Sequence, residues 1–468
     1  MDKIFDLAVI GSGPGGYVAA IRAAQLGMDV AVIEKSEVGG VCLNWGCIPT
    51  KALLTSAQVY NNIKNARSFG IEAGEYKVDF PAVIARSREV ADKMSRGIDY
   101  LFKKNKITLI RGTAKFRDAG SLEVTTAGGQ DATVVQAKNI IVATGSKPKT
   151  LPNIALDGKF VISYKEAMTL DRVPQKLLII GGGAIGVEFA FFYNSMGAEV
   201  TLVEFLPQGL LPNMEKDISR VLKRAFKKQG IEVLAPAMVQ EVSTGAGKCH
   251  VHIKDLKKET LLEKEADKVL MAVGVKPATG NLGLEQLGVK LDRGYIVVDD
   301  SYKTTVDNIY AIGDVINTPA LAHVASAEAI NCVEKIAGLN PGNIDYGIIP
   351  FNVYCSPAVA SAGMTTEQAK EKYPNVKTGK FPFTASGKAT AAGETEGFVK
   401  LIFDGDTNRM LGAHLTGHNV TELISEAVLI MKEGITADQL IKTIHPHPTM
   451  SEGIMEAAAA AYGEAIHL

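Results

Sequence analysis

The sequence predicts an α/β protein that contains one strand–turn–helix–strand unit twice, followed by a smaller α+β domain. Residues 5–10 form a short apolar run that ends in a glycine cluster, and apolar residues then recur at helical spacing over 17–26. A second apolar run at 30–33 completes a unit of about thirty residues. The same order of segments returns over 176–203. From about residue 351 the pattern changes to short strands, turns and a long helix, which indicates a separate C-terminal domain.

Length and composition are those of a multidomain globular protein. The 468 residues are 46% hydrophobic and 22% charged, and they exceed what one hydrophobic core normally serves. The 50 basic and 51 acidic residues nearly cancel, which argues against nucleic acid or an anionic membrane as a partner. We find neither a secretory signal nor an apolar run long enough to span a bilayer. We therefore expect a soluble, cytoplasmic protein.

The first glycine turn, GSGPGG, has the spacing of a dinucleotide-binding loop. Gly11, Gly13 and Gly16 stand between a predicted strand and a predicted helix. The first glycine permits the tight turn, the second lets the backbone approach a pyrophosphate, and the third lets the helix pack closely on the strand. The helix N-terminus favours the anion. Glu34, 23 positions after the first glycine, ends the next strand, where an acid can bind ribose hydroxyls.

The second turn, GGGAIG, repeats this arrangement. Gly181, Gly183 and Gly186 keep the spacing, and Glu204 again follows the first glycine by 23 positions. A single motif of this kind is weak evidence, because glycine turns also serve helix packing, but here strand, helix and acid accompany it twice. We therefore predict two Rossmann-like domains. At the second site Glu204 would repel a 2′-phosphate and no cation follows it, so NAD is favoured over NADP.

Other segments give a coarser prediction. Residues 80–104 read as a charged amphipathic helix, residues 122–142 as strands joined by a turn at Gly128 and Gly129, and residues 421–432 as a long helix. Proline-rich and glycine-rich stretches commonly separate domains. We therefore expect linkers at the stretches 148–152 and 341–350 and near residue 277.

Two strand-end turns resemble segments of flavoproteins that bind two dinucleotides. They are IVATGS and TTVDNIYAIGD, and in those proteins the aspartate of the second turn binds the ribityl chain of the flavin. The resemblance identifies the first glycine turn as an FAD site, although each turn taken alone could simply end a strand. The candidate FAD residues in these turns are Thr144, Gly145, Ser146, Gly313 and Asp314.

A cysteine pair follows the first unit, in the segment GGVCLNWGCIPTK. Cys42 and Cys47 are five positions apart, which is longer than the CxxC spacing of thioredoxin, and no second pair exists to complete a zinc site. Gly46 and Pro49 allow the local bend that a disulfide would need. The alternatives are a redox-active pair beside a flavin, a structural zinc site and two buried thiols. The other three cysteines are expected to be ordinary buried residues.

This segment is similar to the active-site signature of the class I pyridine nucleotide-disulphide oxidoreductases. The resemblance covers nearly the whole chain, residues 11–452, and the motifs occur in the family's order. It implies that Cys42 exchanges with the substrate and that Cys47 contacts the flavin. It also implies that Lys51 and Glu188, which are far apart in the sequence, pair beside the isoalloxazine.

The segment HPHPTMSE resembles the catalytic histidine motif of the same family. His445 and His447 are each followed by proline, which disfavours a helix. Thiol exchange needs a thiolate, and a nearby imidazole can accept the proton near neutral pH. The resemblance implies that His447 is this base, that Glu452 orients it, and that it acts on the cysteines of the partner subunit in a homodimer. The alternative is a metal site at the two histidines; we predict no metal.

The resemblance also predicts the order of the domains. We expect an FAD-binding domain at 1–150, an NAD-binding domain at 151–276, a central segment completing the FAD domain at 277–347, and a C-terminal α+β dimerisation domain at 348–468. The candidate cofactor-binding residues further include Ala114, Gly274, Ala322 and His323.

Within the family the sequence is most similar to enzymes that oxidise protein-bound dihydrolipoamide to lipoamide. The implied electron path runs from the dithiol through the cysteine pair and FAD to NAD. The implied partners are a second copy of the chain and the lipoyl-bearing proteins of a 2-oxo acid dehydrogenase or glycine cleavage system. The alternatives are a related reductase of another disulfide, such as glutathione disulfide, and a silent FAD-binding scaffold subunit. Trp45 and Thr50 depart from the small aliphatic residue and the serine that are common in such enzymes.

Overall fold

The computed structural model describes residues 3–126, 129 and 131–468. The first part of the chain forms a mixed sheet with helices against it, in the order β1 (Ile4–Ile10), α1 (Pro14–Gln25), β2 (Val30–Glu34), α2 (Gly40–Trp45), α3 (Cys47–Lys64), α4 (Phe80–Lys104), β3 (Thr108–Arg111), β4 (Thr113–Asp118), β5 (Ser121–Thr125), β6 (Ala132–Val142) and β7 (Ser146–Pro148).

The second part of the chain forms a parallel sheet and an antiparallel meander. Its elements are β8 (Val161–Ile162), α5 (Tyr164–Ala167), β9 (Lys176–Ile180), α6 (Ala184–Ser195), β10 (Glu199–Val203), α7 (Lys216–Lys228), β11 (Glu232–Leu234), β12 (Ala237–Gly245), β13 (Lys248–Asp255), β14 (Thr260–Ala266), β15 (Lys268–Met271) and β16 (Val275–Pro277).

The remaining chain first returns to the first sheet and then forms the C-terminal domain. The returning elements are β17 (Leu291–Asp292), β18 (Tyr295–Ile296), β19 (Ile309–Ala311) and α8 (Ala322–Ile336). The C-terminal elements are β20 (Phe351–Val353), β21 (Ala358–Gly363), α9 (Thr366–Lys372), β22 (Val376–Pro382), α10 (Gly387–Ala392), β23 (Phe398–Asp404), β24 (Met410–Gly417), α11 (Val420–Glu433), α12 (Ala437–Ile441) and α13 (Glu452–Tyr462).

The first sheet has a parallel core that explains its apolar sequence. Its strand order is β3-β2-β1-β6-β5-β4, and β19 pairs with β6 in parallel. Leu7, Ala8 and Val9 of β1 are fully buried, because helices cover both faces of a parallel sheet and its strands therefore read as continuous apolar runs. The pairing of β19 brings the turn that contains Asp314 to the same sheet edge as the first glycine turn.

The second sheet repeats the parallel core of the first. Its strand order is β11-β10-β9-β15-β8, with every pair parallel. The strand before the glycine turn, β9, lies between β10 and β15, as β1 lies between β2 and β6. The predicted α/β class, with two Rossmann-like units, is confirmed by this repeated topology and by the comparisons reported below.

The two crossings between the first and second sheets include a pair of strands. The sequence predicts boundaries near 148–152 and 277 because prolines cluster there, and these strands lie at or beside those positions. In the structure β7 and β16 form an antiparallel ribbon, with Pro148 opposite Val275 and Ser146 opposite Pro277. An edge strand tolerates proline because part of its backbone needs no ladder hydrogen bond.

The C-terminal domain is an antiparallel sheet with helices on it. The strand order is β20-β21-β24-β23-β22. Helix α11 packs on β21 and β24, while α13 packs on β22 and β23. Close approach of α13 depends on Gly379 in β22, where an added Cβ would lie 1.8 Å from the Ala457 carbonyl oxygen. This agrees with the α+β domain expected from the sequence.

Several local predictions coincide with the observed elements. The helix predicted over 80–104 is α4, whose start is capped by the Asp79 carboxylate accepting from the Ala82 N–H. The predicted strands over 122–142 are β5 and β6, which pair antiparallel; Gly128 of the predicted turn lies outside the described residues. Among the described residues, every helix is too short or too polar to cross a membrane.

Candidate active site

One large cavity connects both glycine turns with the cysteine pair. Its volume is about 1640 Å³, and its lining includes Gly13 of the first turn, Gly183 of the second, and both Cys42 and Cys47. Two helices begin at these turns, each after a glycine that has no side chain to cap the first backbone N–H groups. Those groups are therefore free to meet an anion. A ligand with a pyrophosphate fits at either end of the cavity.

The first turn is held by the acid that the sequence singled out. Glu34 accepts hydrogen bonds from the Ser12 N–H at 2.8 Å, from the Ser12 hydroxyl at 2.7 Å and from the Ser36 N–H at 2.8 Å. Gly11 has a φ of +99°, and a Cβ there would lie 2.5 Å from the Ala143 carbonyl oxygen. Glycine is therefore required at this position.

The second turn has the same contacts. Glu204 accepts from the Gly182 N–H at 2.6 Å and from the Leu206 N–H at 2.7 Å. Gly181 has a φ of +110°, and a Cβ there would lie 2.4 Å from the Ala272 carbonyl oxygen. The equal spacing of glycine and acid in the sequence thus corresponds to the same three-dimensional turn. Both acids also line the cavity.

The third glycine of each turn serves packing. A Cβ on Gly16 would lie 1.9 Å from the Gly11 carbonyl oxygen, and a Cβ on Gly186 would lie 1.9 Å from the Gly181 carbonyl oxygen. No side chain fits between the first turn of the helix and the strand end. These two glycines let the helix N-terminus approach the cavity.

Most of the remaining candidate cofactor-binding residues line the same cavity, and His323 does not. Burial raises the pKa of the Asp314 carboxyl, although Ser146 donates a hydrogen bond to it at 2.6 Å. Asp314 is half-buried and lines the cavity, so its carboxyl can accept hydrogen bonds from a ligand there. The other predicted residues on the lining are Ala114, Thr144, Gly145, Gly274, Gly313 and Ala322. His323 is exposed, with Nε2 at 2.9 Å from the Pro350 carbonyl oxygen.

The cysteine pair lies at a break between two helices. Cys42 belongs to the short helix α2, and Cys47 is the first residue of the long helix α3. Gly46, between them, has φ −143° and ψ −113°, so the chain turns sharply there. The helix N-terminus favours negative charge on the Cys47 sulfur. Both cysteines are free thiols, and each is partly accessible from the cavity.

The two thiols differ in acidity. The Cys42 thiol donates a hydrogen bond to the Cys47 sulfur, which raises the pKa of Cys42 and lowers the pKa of Cys47. Burial opposes the charge on either sulfur, and the Lys51 ammonium favours it at Cys47. The first thiolate to form is therefore that of Cys47.

Lys51 and Glu188 form the ion pair that the family resemblance implied. The Lys51 Nζ lies 2.9 Å from both carboxylate oxygens of Glu188, although 137 positions separate the residues. Lys51 lies one helical turn after Cys47 on α3, and Glu188 is on α6 of the second unit. The glutamate is only 6% exposed, and both residues line the cavity.

The C-terminal histidines each contact a different carboxylate. His447 Nδ1 lies 2.8 Å from Glu452 Oε1, and the imidazole is 78% exposed. When Nδ1 donates to this carboxylate, Nε2 is left as a free acceptor. His445 Nε2 instead lies 2.8 Å from Glu426 Oε1. Within the described part of the chain, the cavity lining includes neither His447 nor Glu452, so one subunit does not bring this base to its own cysteines.

A metal site is not indicated by the geometry. Among the described residues, no group of three or more His, Cys, Asp or Glu side chains is arranged to hold a metal ion. The two histidines each contact a separate carboxylate, Glu426 for His445 and Glu452 for His447.

Sequence reasoning missed several residues that hold this site together. Trp45 was noted only as a departure from the family pattern; its ring lies between two cations, 4.7 Å from the Arg88 guanidinium carbon and 4.4 Å from the Lys165 Nζ. Glu328 is fully buried and accepts from the Gly313 N–H at 2.7 Å. Tyr354 contacts the Lys51–Glu188 pair. No local pattern in the sequence reveals such long-range contacts.

Comparison with known proteins decides the family. Residues 5–329 match the family model described as pyridine nucleotide-disulphide oxidoreductase, and residues 349–458 match the dimerisation domain of the same family. The chain belongs to the pyridine nucleotide-disulphide oxidoreductase family. FAD and NAD are the cofactors of such enzymes, and the C-terminal domain is accordingly a dimerisation domain.

Several relatives in this family share the full length of the chain. The sequence is 45% identical to a dihydrolipoyl dehydrogenase of Rhizobium etli, with 100% of both chains covered. It is 42% identical to the enzyme of that name from Bacillus subtilis, over 99% of both chains. It is 41% identical to the mitochondrial dihydrolipoyl dehydrogenase 1 of Arabidopsis thaliana, over 99% of this chain and 91% of that one.

Solved structures of the family have the same architecture. The HOCl-induced flavoprotein disulfide reductase RclA of Escherichia coli, in its Cu(II) complex, superposes with a TM-score of 0.88 at 29% identity, over 98% of this chain and 99% of that one. LpdA of Mycobacterium tuberculosis superposes with a TM-score of 0.88 at 27% identity, over 97% and 98% of the two chains. Each superposition spans both glycine-turn units and the C-terminal domain.

Proposed function

We propose that this chain is a dihydrolipoyl dehydrogenase, which oxidises protein-bound dihydrolipoamide to lipoamide with NAD as the electron acceptor. The observation that carries the proposal is the single cavity that connects two dinucleotide turns with a pair of hydrogen-bonded thiols of unequal acidity. Relatives covering the full length carry this name. A dithiol relay needs these three parts within one enclosed volume.

Cys42 is the exchanging thiol in this proposal. The reaction begins with the Cys42–Cys47 disulfide, and a dihydrolipoamide thiolate attacks the Cys42 sulfur, which breaks that disulfide and releases the Cys47 thiolate. The second substrate thiol then displaces Cys42 and closes the lipoamide disulfide. Two electrons and two protons leave the substrate. Release of Cys47 as a thiolate is favoured by the nearby Lys51 ammonium, because Cys42 is then bonded to the substrate sulfur and has no thiol hydrogen to donate.

His447 is the proposed base for these exchanges. Its Nε2 is free and exposed while Nδ1 faces Glu452. Burial opposes the charge of Glu452, but hydrogen bonds from the Thr449 N–H and from His447 lower the pKa of that carboxyl. The carboxylate therefore stays charged and fixes the imidazole. Because His447 lies away from the cavity of its own chain, we assign it to the cysteines of the second subunit in a homodimer.

The remaining candidate residues bind and orient the cofactors. The first turn with Glu34, Ala114, the strand-end residues 144–146 and Asp314 would hold FAD. The second turn with Glu204 and Gly274 would hold NAD. Bound FAD supplies a two-electron carrier between the dithiol and NAD.

The domain limits enter the proposal as well. We assign residues 1–150 and 277–347 to the FAD domain, 151–276 to the NAD domain and 348–468 to dimerisation. The pairing of β19 with β6 supports the return of the third segment to the first sheet. The boundary at 276 falls inside β16, whose ladder with β7 belongs to both domains.

The proposed partners are lipoyl-bearing proteins of a 2-oxo acid dehydrogenase or glycine cleavage system. Relatives named dihydrolipoyl dehydrogenase support a lipoyl substrate, and we assign the protein to the cytoplasm, where such complexes work in bacteria. Within residues 3–126, 129 and 131–468, we find no feature that favours a second function, such as reduction of glutathione disulfide.

The proposal is tested by substrate choice in steady-state assays. We expect NAD reduction with dihydrolipoamide to exceed NADH-dependent or NADPH-dependent reduction of glutathione disulfide by about a hundredfold or more in kcat/KM. In Cys42→Ser the lipoamide reaction should fall at least about a thousandfold while FAD stays bound. Cys249→Ser is the matched control, since Cys249 is a buried thiol remote from the cavity.

Two outcomes would contradict the assignment. Full dihydrolipoamide oxidation by Cys42→Ser would mean that another group exchanges with the substrate. A higher kcat/KM for another disulfide would keep the disulfide oxidoreductase but reject lipoamide as its substrate. Mixing Cys42→Ser with His447→Gln subunits tests the shared site: each heterodimer then contains one intact site, and activity should reappear in the mixture.

A further inference from the structure

Tyr354 contacts both members of the ion pair beside the cysteines. The Lys51 Nζ lies over the Tyr354 ring, 4.3 Å from its centroid. The Tyr354 backbone N–H donates to Glu188 Oε1 at 3.0 Å. The same carboxylate oxygen accepts from Lys51 at 2.9 Å. One residue thus contacts the cation through its ring face and the anion through its backbone.

Three separate parts of the chain meet at this point. Lys51 belongs to α3, Glu188 to α6, and Tyr354 directly follows β20. The Tyr354 segment is anchored on both sides, because Val353 is fully buried and the Cys355 thiol donates to the Pro357 carbonyl oxygen at 3.0 Å. The aromatic ring is therefore a fixed surface against which a flexible lysine can rest.

A lysine in this position needs such a surface. Its side chain is 33% exposed, and a free ammonium on four methylene groups has many rotamers. Glu188 alone restrains the tip of the chain, while the ring restrains it from the side and adds cation–π attraction. Without the ring, the ammonium has room to move away from Cys47 towards the open cavity.

The position of Lys51 matters because the two charges of the pair act in opposite directions on Cys47. The groups that face this sulfur are Cys42 from α2, Lys51 from α3 and Glu188 from α6. Lys51 favours the thiolate and Glu188 disfavours it. Cys355, which directly follows Tyr354, stays neutral because burial raises the pKa of its thiol.

We propose that Tyr354 is a positioning residue of the redox site, which holds the Lys51–Glu188 pair in place so that the Lys51 ammonium stays beside Cys47, one helical turn away on α3. The inference rests on the proposed function, because it assigns Tyr354 to the same thiol relay. Tyr354 belongs to the C-terminal domain, so this domain would act on the redox pair of its own chain through Tyr354. The same domain would present His447 to the cysteines of the second subunit.

The test compares Tyr354→Leu with Tyr354→Phe in the FAD-loaded, full-length protein. Phenylalanine keeps the ring and the backbone N–H and loses only a 3.5 Å contact of the hydroxyl with Asn352. Leucine removes the ring. Two readouts are taken against pH in the anaerobically reduced protein: the long-wavelength thiolate–flavin absorbance, and the rate of Cys47 alkylation by iodoacetamide, followed by peptide mass spectrometry.

We expect Tyr354→Leu to raise the pH midpoint of both readouts by about half a unit, because Lys51 then favours the thiolate less. Tyr354→Phe should keep the wild-type midpoint. The matched control is Tyr60→Leu, which removes a similar contact, Lys64 Nζ at 3.9 Å from a tyrosine ring, outside the cavity. It should also keep the wild-type midpoint.

Each other result has a defined meaning. A wild-type midpoint in Tyr354→Leu with normal FAD content overturns the inference, and so does an equal shift in Tyr354→Phe. If Tyr354→Leu loses FAD, Tyr354→Met replaces it; loss of FAD there too would show a structural role and also overturn the inference. A wild-type protein without any thiolate–flavin absorbance would instead reject the proposed function.

Discussion

The two glycine-turn units share their turn geometry but differ in what their helices contact. In both units the acid accepts from the second residue of the turn and from the residue two positions after itself. The first helix, α1, is rich in alanine and packs on α8. The second helix, α6, contains Phe189, Phe192 and Tyr193, all buried, and packs on α3.

The difference shows that the same turn stands in two different surroundings. The small residues of α1 let α8 approach closely. The large residues of α6 instead fill the space against α3, the helix that begins with Cys47. The second unit therefore carries a residue of the redox site, Glu188, on its own helix. The turn is thus the shared part of the two units, and the helix surface is the part that differs.

The largest effect is expected from alanine at the third glycine of each turn. Gly16→Ala and Gly186→Ala each place a Cβ 1.9 Å from a carbonyl oxygen, so the helix must move away from the turn. We expect Gly16→Ala to lose FAD. Gly186→Ala should keep FAD and lose at least about tenfold in affinity for NADH. Flavin-to-protein ratios and anaerobic NADH titration measure both.

The second glycines provide the controls for this pair. A Cβ on Gly183 meets no protein atom within 4 Å, and a Cβ on Gly13 meets only Gly40 at 4.0 Å. Gly13→Ala and Gly183→Ala should therefore leave thermal stability unchanged and weaken only the corresponding ligand. Equal loss of FAD in Gly16→Ala and Gly186→Ala would contradict the division of tasks.

A smaller effect is expected from neutralising the two acids. Glu204→Gln removes the charge that repels a 2′-phosphate, so the ratio of kcat/KM for NADPH to that for NADH should rise about tenfold. Glu34→Gln should leave this ratio unchanged and weaken FAD retention, measured by dialysis. If Glu34→Gln alters the ratio as much as Glu204→Gln does, the two turns have been assigned to the wrong cofactors.

The smallest effect concerns the contact of the second unit with the C-terminal domain. Glu215, just before α7, bonds Lys400 at 3.0 Å and accepts from the Thr366 N–H. Burial opposes its charge, but the hydrogen bonds from Thr366 and the Lys400 ammonium outweigh this and lower the pKa of Glu215 to about 2. Because the folded pKa is depressed, its stabilisation is complete above the ordinary pKa of about 4.5 and is lost as the pH falls towards 2.

Glu215→Gln should therefore lower the thermal unfolding midpoint at pH 7 and have little effect near pH 2. The expected loss at neutral pH is about 2 kcal/mol after allowance for solvent screening. Arg22→Gln, which breaks the ion pair with Glu334 that joins α1 to α8 in the first unit, is the comparison. A pH-independent loss in Glu215→Gln would show that the carboxylate charge is not what stabilises this contact.

The sequence was most informative where structure depends on neighbours along the chain. The helix over 80–104 was predicted with its exact limits, because its apolar spacing, the Asp79 cap and Pro81 near its start all act locally. The two glycine turns were predicted for the same reason, since strand, turn and helix follow directly on each other.

Contacts between distant segments could not be derived from residues alone. The Lys51–Glu188 pair was expected only by family resemblance, because 137 positions separate two charges that otherwise read as solvated. Glu215 and Lys400, with 185 positions between them, went unnoticed for the same reason. The pairing of β7 with β16 was not predicted either, because a local pattern cannot show that two proline-containing stretches meet.

That ribbon gives the inserted domain a particular kind of modularity. The chain enters the second unit through β7 and leaves it through β16, and these strands are hydrogen-bonded neighbours about 5 Å apart. The whole second unit is thus an insertion whose two ends lie side by side. A recombination event that exchanges this segment between relatives has to match this short ladder and also the contacts of the second unit with α3 and with the C-terminal domain, such as Lys51–Glu188 and Glu215–Lys400.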